Sequence, residues 1–131
     1  MRRVPHVLTA VVLVMVAARA MPVAAQDKPA AVVHMTMAKK FVPDKVTIKA
    51  GETVEWVADD PFHEHSLTTD PAKVEDRALV QTPKGARTFD SGSLQQGRTF
   101  RYKFTVAGTY RYVCPPHEQN KMVGEVVVTP Q

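Results

Sequence analysis

Cysteine is almost absent from this chain, which has one, Cys114, in 131 residues. A single cysteine cannot form a disulfide within its own chain, so no covalent cross-link holds this fold together. In an exported protein a leftover thiol indicates an intermolecular bond, a reactive thiol or a metal ligand. The residues around Cys114 indicate which of these three roles applies.

Long hydrophobic runs are also scarce, and the longest lies at the N-terminus. Arg2 and Arg3 precede an apolar stretch at residues 7–18, and residues 23–25, Val-Ala-Ala, provide the small side chains that a signal peptidase recognises. The stretch is too short to favour a transmembrane helix. We therefore expect residues 1–25 to be a signal peptide that directs the protein to the periplasm, with an uncleaved N-terminal anchor as the alternative.

The remaining chain has little net charge. Three of the 17 basic residues lie in the predicted signal peptide, which has no acidic residue, so 14 basic residues face 13 acidic ones in the mature protein. No basic run is interleaved with aromatic residues, and the sequence therefore argues against nucleic-acid binding. About 106 residues suit one domain with one core, which we expect to be monomeric. Residues 26–31 are predicted to be a flexible leader and residues 32–131 the folded domain.

Helical periodicity is missing from the mature chain, and alternation of apolar and polar residues takes its place. Period-2 patterns predict half-buried strands, which we place at residues 31–37, 45–49, 53–57, 99–106, 109–113 and 124–129, with a further short strand at 65–69. Residues 58–64 are predicted to be a loop, and the irregular residues 70–88 to contain at most a helical turn or two. About seven to eight short strands separated by turns indicate an all-β Greek-key sandwich or barrel.

The surroundings of Cys114 contain two further metal-binding side chains. Cys114, His117 and Met122 are spaced Cys-x2-His-x4-Met. Thiolate and thioether suit Cu(I), imidazole suits both copper oxidation states, and two His with one Cys and a weak axial Met form the usual electron-transfer site. Pro115 and Pro116 stiffen the loop because proline fixes φ. This motif predicts a copper site that needs one more histidine from elsewhere in the chain.

Three segments resemble the small type 1 (blue) copper proteins, or cupredoxins, of the plastocyanin, pseudoazurin and amicyanin type. They are Phe-Val-Pro at residues 41–43 with the run Val-Thr-Ile-Lys-Ala-Gly-Glu-Thr-Val-Glu-Trp-Val at 46–57, Phe-Asp-Ser-Gly at 89–92, and residues 108–117 with 122–126 around the metal-binding motif. The resemblance covers residues 32–129. It implies a cupredoxin-like domain with one copper ion near one end of the sandwich.

The resemblance also implies a complete ligand set of His65, Cys114, His117 and Met122. The upstream ligand of these proteins is a histidine followed by a small polar and then an apolar residue, and His65 fits this pattern. His117 is then expected to be the exposed ligand through which the electron leaves. Ser66 is expected to link the two ligand loops, in a position where the family often has Asn.

His63 is the alternative to His65, and the sequence leaves several roles open for it. It is followed by Glu64, which fits the family pattern less well. His63 is predicted to be a surface residue near the metal, a first ligand for incoming copper, or a partner for the acidic residues at 59, 60 and 64. Met35 and Met37 share one face of the first strand, where core packing is expected and a second Cu(I) site is the alternative.

These features together predict a periplasmic one-electron carrier and not an enzyme. Its partners are expected to be transient redox proteins, such as a cytochrome or a copper or haem oxidoreductase. The alternative is a copper chaperone or storage protein that uses the same soft ligands. A third class is a copper enzyme or a green or red copper protein in which His63 or Glu64 adds a ligand. A dinuclear oxidase-type copper centre needs two cysteines, so a single chain with one cysteine cannot form it.

Overall fold

The fold of residues 27–131, which a computed structural model describes, consists of seven strands with only short 3₁₀ turns between them. The predicted signal peptide lies outside the described residues. The strands are β1 (Ala31–Met35), β2 (Phe41–Val42), β3 (Lys45–Lys49), β4 (Thr53–Ala58), β5 (Thr99–Lys103), β6 (Gly108–Val113) and β7 (Val123–Thr129). They form two mixed sheets, in the orders β2-β1-β4-β5 and β3-β7-β6. The predicted all-β sandwich is confirmed.

Alternation along the strands gives each sheet one face in the core. In β4 the side chains of Val54, Trp56 and Ala58 are buried, while the residues between them are partly exposed. β1 lies parallel to β4 in one sheet, and β3 lies parallel to β7 in the other. Each parallel pair requires a crossover connection. The first strand, β1, lies between β2 and β4, and the last strand, β7, lies between β3 and β6, so both ends of the domain are central strands of the sandwich.

The core is aromatic and joins the two sheets. Trp56 of the first sheet contacts Tyr112 of the second edge-on, with ring centroids 5.4 Å apart. Tyr112 also packs edge-on against Phe41 at 4.7 Å, and Phe89 reaches Trp56 from the loop before β5 at 5.9 Å. Edge-to-face pairs of this kind are favoured by the ring quadrupoles. The metal-binding motif begins two residues after Tyr112, at Cys114, and is therefore built onto this core.

The structure differs from the sequence prediction at residues 65–69 and at Met37. Residues 65–69 form isolated bridges and not a strand. The helical turn or two expected within 70–88 is present, at residues 71–73 and 77–79. Met37 is exposed, although Met35 is buried, because the chain turns at Thr36 and Lys39 takes a left-handed conformation with φ of 55°. The shared core face predicted for Met35 and Met37 is therefore wrong for Met37.

Within residues 27–131, no helix has the length and hydrophobicity needed to cross a membrane.

Candidate metal centre

The loop from Cys114 to Met122 is closed by its own backbone. β6 ends at Val113, and the Cys114 N–H then donates to the Met122 carbonyl at 3.0 Å. Between these two residues Pro115–Asn120 forms a 3₁₀ segment that is interrupted at His117, where φ is −125° and ψ is 26°. The sequence predicted a stiff loop here but not its helical turns. This closure brings the two ends of the loop together, and within the loop His117 Nδ1 lies 3.3 Å from the Cys114 sulfur.

The segment that contains His65 is fixed against two other parts of the chain. His65 exchanges two backbone hydrogen bonds with Leu94, at 3.1 and 2.7 Å. Three residues later, Thr68 exchanges two with Val113, at 3.0 and 3.1 Å. Because Val113 precedes Cys114, the second bridge aligns the His65 segment with the thiol. The Ser66 N–H lies 3.5 Å from the Cys114 sulfur and donates to it.

Three predicted ligands meet within a small volume. The donor atoms of His65, Cys114 and His117 all lie within 4.8 Å of one another. The Cys114 Sγ is 3.3 Å from His117 Nδ1 and 3.9 Å from His65 Nδ1. Metal bonds to cysteine sulfur and histidine nitrogen are about 2.0–2.3 Å long for zinc, so atoms at these separations can share one ion. The donor set and its spacing therefore fit a single transition-metal ion.

The protonation of these side chains also suits a metal. Burial, with smaller electrostatic contributions from the neighbouring His65, Lys39 and His63, lowers the pKa of His117, so its ring is neutral and available at neutral pH. Burial raises the pKa of the Cys114 thiol, and hydrogen bonds from Ser66 and from the backbone of His117 offset this only in part. The thiol thus keeps its proton until a cation displaces it.

Met122 is held next to Cys114 and His117 by backbone hydrogen bonds. Its side chain is buried, its carbonyl accepts from the Cys114 N–H, and its own N–H donates to the His117 carbonyl at 3.3 Å. These bonds keep Met122 at the end of the same loop. Met122 as the fourth ligand stays a prediction.

His63 does not join the three-residue group. Its side chain is 42% exposed, and its Nδ1 lies 2.8 Å from the Asp60 carboxylate. Its ring is nearly perpendicular to that of His117, with centroids 6.0 Å apart. Of the roles left open by the sequence, the structure supports a surface position near the metal centre with an acidic partner.

Asp60 contacts the candidate centre, although it was not among the predicted site residues. Its carboxylate is fully buried, and one oxygen, Oδ2, lies 3.0 Å from His65 Nε2 and 2.8 Å from His63 Nδ1. The other oxygen accepts the N–H groups of Phe62 and His63. Burial raises the pKa of Asp60, but these four hydrogen bonds outweigh it and hold the pKa well below its usual range. The signal in the sequence was an acidic residue within one loop of a predicted histidine ligand.

Glu118 is a second residue that sequence reasoning missed. Its buried carboxylate accepts the N–H groups of Glu75 and Asp76 at 3.0–3.3 Å. These bonds attach the irregular segment 70–88 to the loop that carries His117. No local pattern marks this contact, because it joins residues 42 and 43 positions apart.

Comparison with known proteins identifies relatives that are similar in sequence. The family described as copper binding proteins, plastocyanin/azurin family, matches residues 30–129. Plastocyanin from Scenedesmus fuscus is 38% identical over 67% of this chain and 85% of its own. Amicyanin from Paracoccus versutus is 35% identical over 82% of this chain and 72% of its own. The chain spans 59% of the chloroplastic plastocyanin of Chlamydomonas reinhardtii, at 37% identity.

Solved structures give the same result for the fold. The crystal structure of amicyanin from Paracoccus versutus aligns with a TM-score of 0.58 at 31% identity, over 79% of this chain and 86% of that one. A purple cupredoxin from Nitrosopumilus maritimus aligns with a TM-score of 0.57 at 25% identity, over 76% of this chain and 99% of that one. The predicted resemblance to cupredoxins is confirmed by both comparisons.

Proposed function

Because the chain belongs to the plastocyanin/azurin family of copper-binding proteins, we propose that it is an exported one-electron carrier with His65, Cys114, His117 and Met122 as its copper ligands. The ion supplies the redox chemistry by alternating between Cu(I) and Cu(II). The protein residues supply a fixed geometry, a water-free surrounding and a route to the surface. The arginines and apolar stretch before residue 26 support export, and we infer the periplasm as the compartment.

The observation that carries this proposal is the unequal exposure of the three grouped side chains. His65 and Cys114 are fully buried, whereas His117 is 7% exposed. A buried donor set shields the ion from solvent, which suits an electron carrier. His117, which alone of the three has exposed surface, is then the route that we infer for an electron to a partner docked on this end of the sandwich.

The surface around His117 suits brief contacts with other redox proteins. His63 lies beside it, and Phe62 exposes 78% of its surface. Electron-transfer encounters typically use small interfaces. We infer that the partners are larger redox proteins that donate or accept one electron at a time.

A spectrum of the purified protein with added Cu(II) tests the ligand set and the function together. We expect intense visible absorption from thiolate charge transfer, which is lost in Cys114→Ser and His65→Ala and kept in His63→Ala. A protein that binds only Cu(I) and stays colourless would instead support copper handling. Absorption that survives His65→Ala but disappears in His63→Ala would reverse the assignment of the upstream ligand.

Transfer itself is tested by mixing the reduced, copper-loaded protein with an oxidised cytochrome c in a stopped-flow spectrometer. The carrier proposal predicts that reduction of the haem and recovery of visible absorption occur with the same rate constant. A coloured protein that exchanges no electrons with several soluble haem proteins would contradict the carrier role but not the copper site.

A further inference from the structure

The buried carboxylate of Asp60 connects two histidines of different kinds. One oxygen, Oδ2, faces both His65 Nε2 at 3.0 Å and His63 Nδ1 at 2.8 Å. His65 is fully buried, whereas the side chain of His63 is 42% exposed. The carboxylate therefore lies between the innermost histidine of the site and one that meets solvent.

The two oxygens of Asp60 have separate partners. Oδ1 accepts the N–H groups of Phe62 and His63, at 2.8 and 3.1 Å, which folds the loop back on the carboxylate. Oδ2 is thereby left for the two imidazole rings. An ionised carboxylate can only accept hydrogen bonds, so each ring nitrogen that faces it carries a proton. His65 is consequently held as the tautomer with a bare Nδ1, the atom that faces the Cys114 sulfur.

We propose that Asp60 is a positioning residue that fixes the tautomer of His65 and lowers the reduction potential of the centre, and that His63 weakens this effect by sharing the carboxylate. The proposal rests on the ligand set proposed above. A carboxylate bonded to the outer N–H of a histidine ligand makes that ligand more basic. A more basic nitrogen stabilises Cu(II) more than Cu(I), which lowers the potential.

His63 acts in the opposite direction because its N–H withdraws negative charge from the same oxygen. The exposed side chain of His63 is therefore linked to the proposed ligand His65 through two hydrogen bonds, both of which are made to Asp60 Oδ2. A docked partner that changes the surroundings of His63 would therefore change the electron density available to His65. His63 is thus inferred to modulate the centre through Asp60 and not to bind the ion.

Asp60→Asn tests the role of the charge, because asparagine retains an acceptor oxygen and nearly the same shape. Loss of such an outer partner typically costs about 10–100-fold in metal affinity. If this loss falls on Cu(II), each tenfold change raises the one-electron potential by about 59 mV. The matched control is Asp59→Asn, which removes the same charge one residue away. Asp59 is half-exposed and pairs with His34, so we expect little change in potential.

His63→Leu is the second test, because it keeps the Asp60 charge and the backbone N–H of residue 63 that donates to Oδ1. It removes the imidazole N–H that faces Oδ2, so this oxygen then serves His65 alone. We expect the potential to fall by less than the rise in Asp60→Asn. If Asp60→Asn does not fold, this signed shift decides the question, and a potential that rises or stays constant in His63→Leu would overturn the proposal.

The outcomes separate this proposal from the proposed function. An intact visible spectrum with unchanged potentials in both Asp60→Asn and His63→Leu would leave the copper carrier in place and remove the role of Asp60. A wild-type protein without visible absorption would remove the ligand set itself. A lower unfolding temperature of Asp60→Asn with an unchanged potential would show that Asp60 has a structural role only.

Discussion

The Cys114 N–H donates to the carbonyl of Met122 at 3.0 Å and closes the loop between the last two strands of the sandwich. This one bond joins the proposed thiolate ligand to the proposed axial ligand. Because β6 and β7 hold the two ends of the loop, movement of the Cys114 backbone relative to that of Met122 would strain the strand pairing. Strand pairing therefore contributes to the rigidity that an electron-transfer site needs.

Substitution of Met122 is expected to change the potential without abolishing copper binding. Met122→Leu removes a weak donor and keeps the side chain apolar, so Cu(II) loses more stabilisation than Cu(I) and the potential rises. Met122→Gln offers a harder oxygen donor and should lower it. Each tenfold change in the affinity for Cu(II) relative to Cu(I) shifts the one-electron reduction potential by about 59 mV. Voltammetry of both copper-loaded variants measures the two signs, and shifts in the same direction would argue against an axial Met122.

Gly124 is expected to tolerate no side chain, because Tyr112 covers it. The two residues pair across β6 and β7, and a Cβ on Gly124 would lie 2.2 Å from the Cζ of Tyr112. Gly124→Ala should lower the free energy of unfolding by about 1–3 kcal/mol, as overpacked cores do. Denaturant unfolding of the apo-protein measures this loss. Glu125→Ala, on the outer face of the same strand, should change it by less than about 1 kcal/mol.

The architecture and three of the site residues could be predicted because their signals are local. Alternation in β4 marks Val54 and Trp56 as buried, and the spacing of Cys114, His117 and Met122 lies within one loop. The resemblance to cupredoxins then supplied His65, which the structure places beside Cys114 and His117. Site residues that short sequence patterns mark could therefore be predicted from the sequence alone.

Asp60 and Glu118 could not be assigned in the same way. Acidic residues are normally exposed, and nothing in the Asp-Asp-Pro sequence at 59–61 shows that Asp60 is buried while Asp59 remains half-exposed. The contact of Glu118 with Glu75 depends on how a long irregular segment folds over the ligand loop. Such contacts arise from tertiary packing, which period-2 patterns do not encode.

Glu118 is expected to hold segment 70–88 in place. Glu118→Ala removes the acceptor of the N–H groups of Glu75 and Asp76, which belong to exposed residues, at a net cost of about 0.5–1.5 kcal/mol for each hydrogen bond lost. Hydrogen exchange of those two amides should become faster, while exchange of the β4 amides changes only with global stability. Glu118→Gln keeps an acceptor oxygen and should show a smaller effect. Equal exchange rates in Glu118→Ala and wild type would contradict the tethering role.

Stability at alkaline pH is expected to depend on Tyr112. Burial raises the pKa of Tyr112 above its ordinary value of about 10. The unfolded chain therefore loses this proton at a lower pH than the folded protein does, so the folded state binds more protons and stability falls as pH rises above about 10. One such group contributes a slope of at most about 1.4 kcal/mol per pH unit. Tyr112→Phe should remove that part of the slope in urea titrations between pH 9 and 11, and an unchanged slope would refute the assignment.

Metal binding is expected to release one proton from Cys114 at neutral pH. Burial keeps the thiol pKa above its usual value, whereas burial and neighbouring positive charges keep the His117 ring neutral. The thiol is therefore the group that must lose a proton when the ion binds. Zinc avoids redox side reactions, so calorimetry with Zn²⁺ in two buffers of different ionisation enthalpy should give about one proton released per ion at pH 7.

The apparent affinity for Zn²⁺ should then rise about tenfold per pH unit while pH stays below the thiol pKa. Cys114→Ala should release no proton at pH 7, and a wild-type value near zero would mean that the thiol is already ionised before the metal arrives.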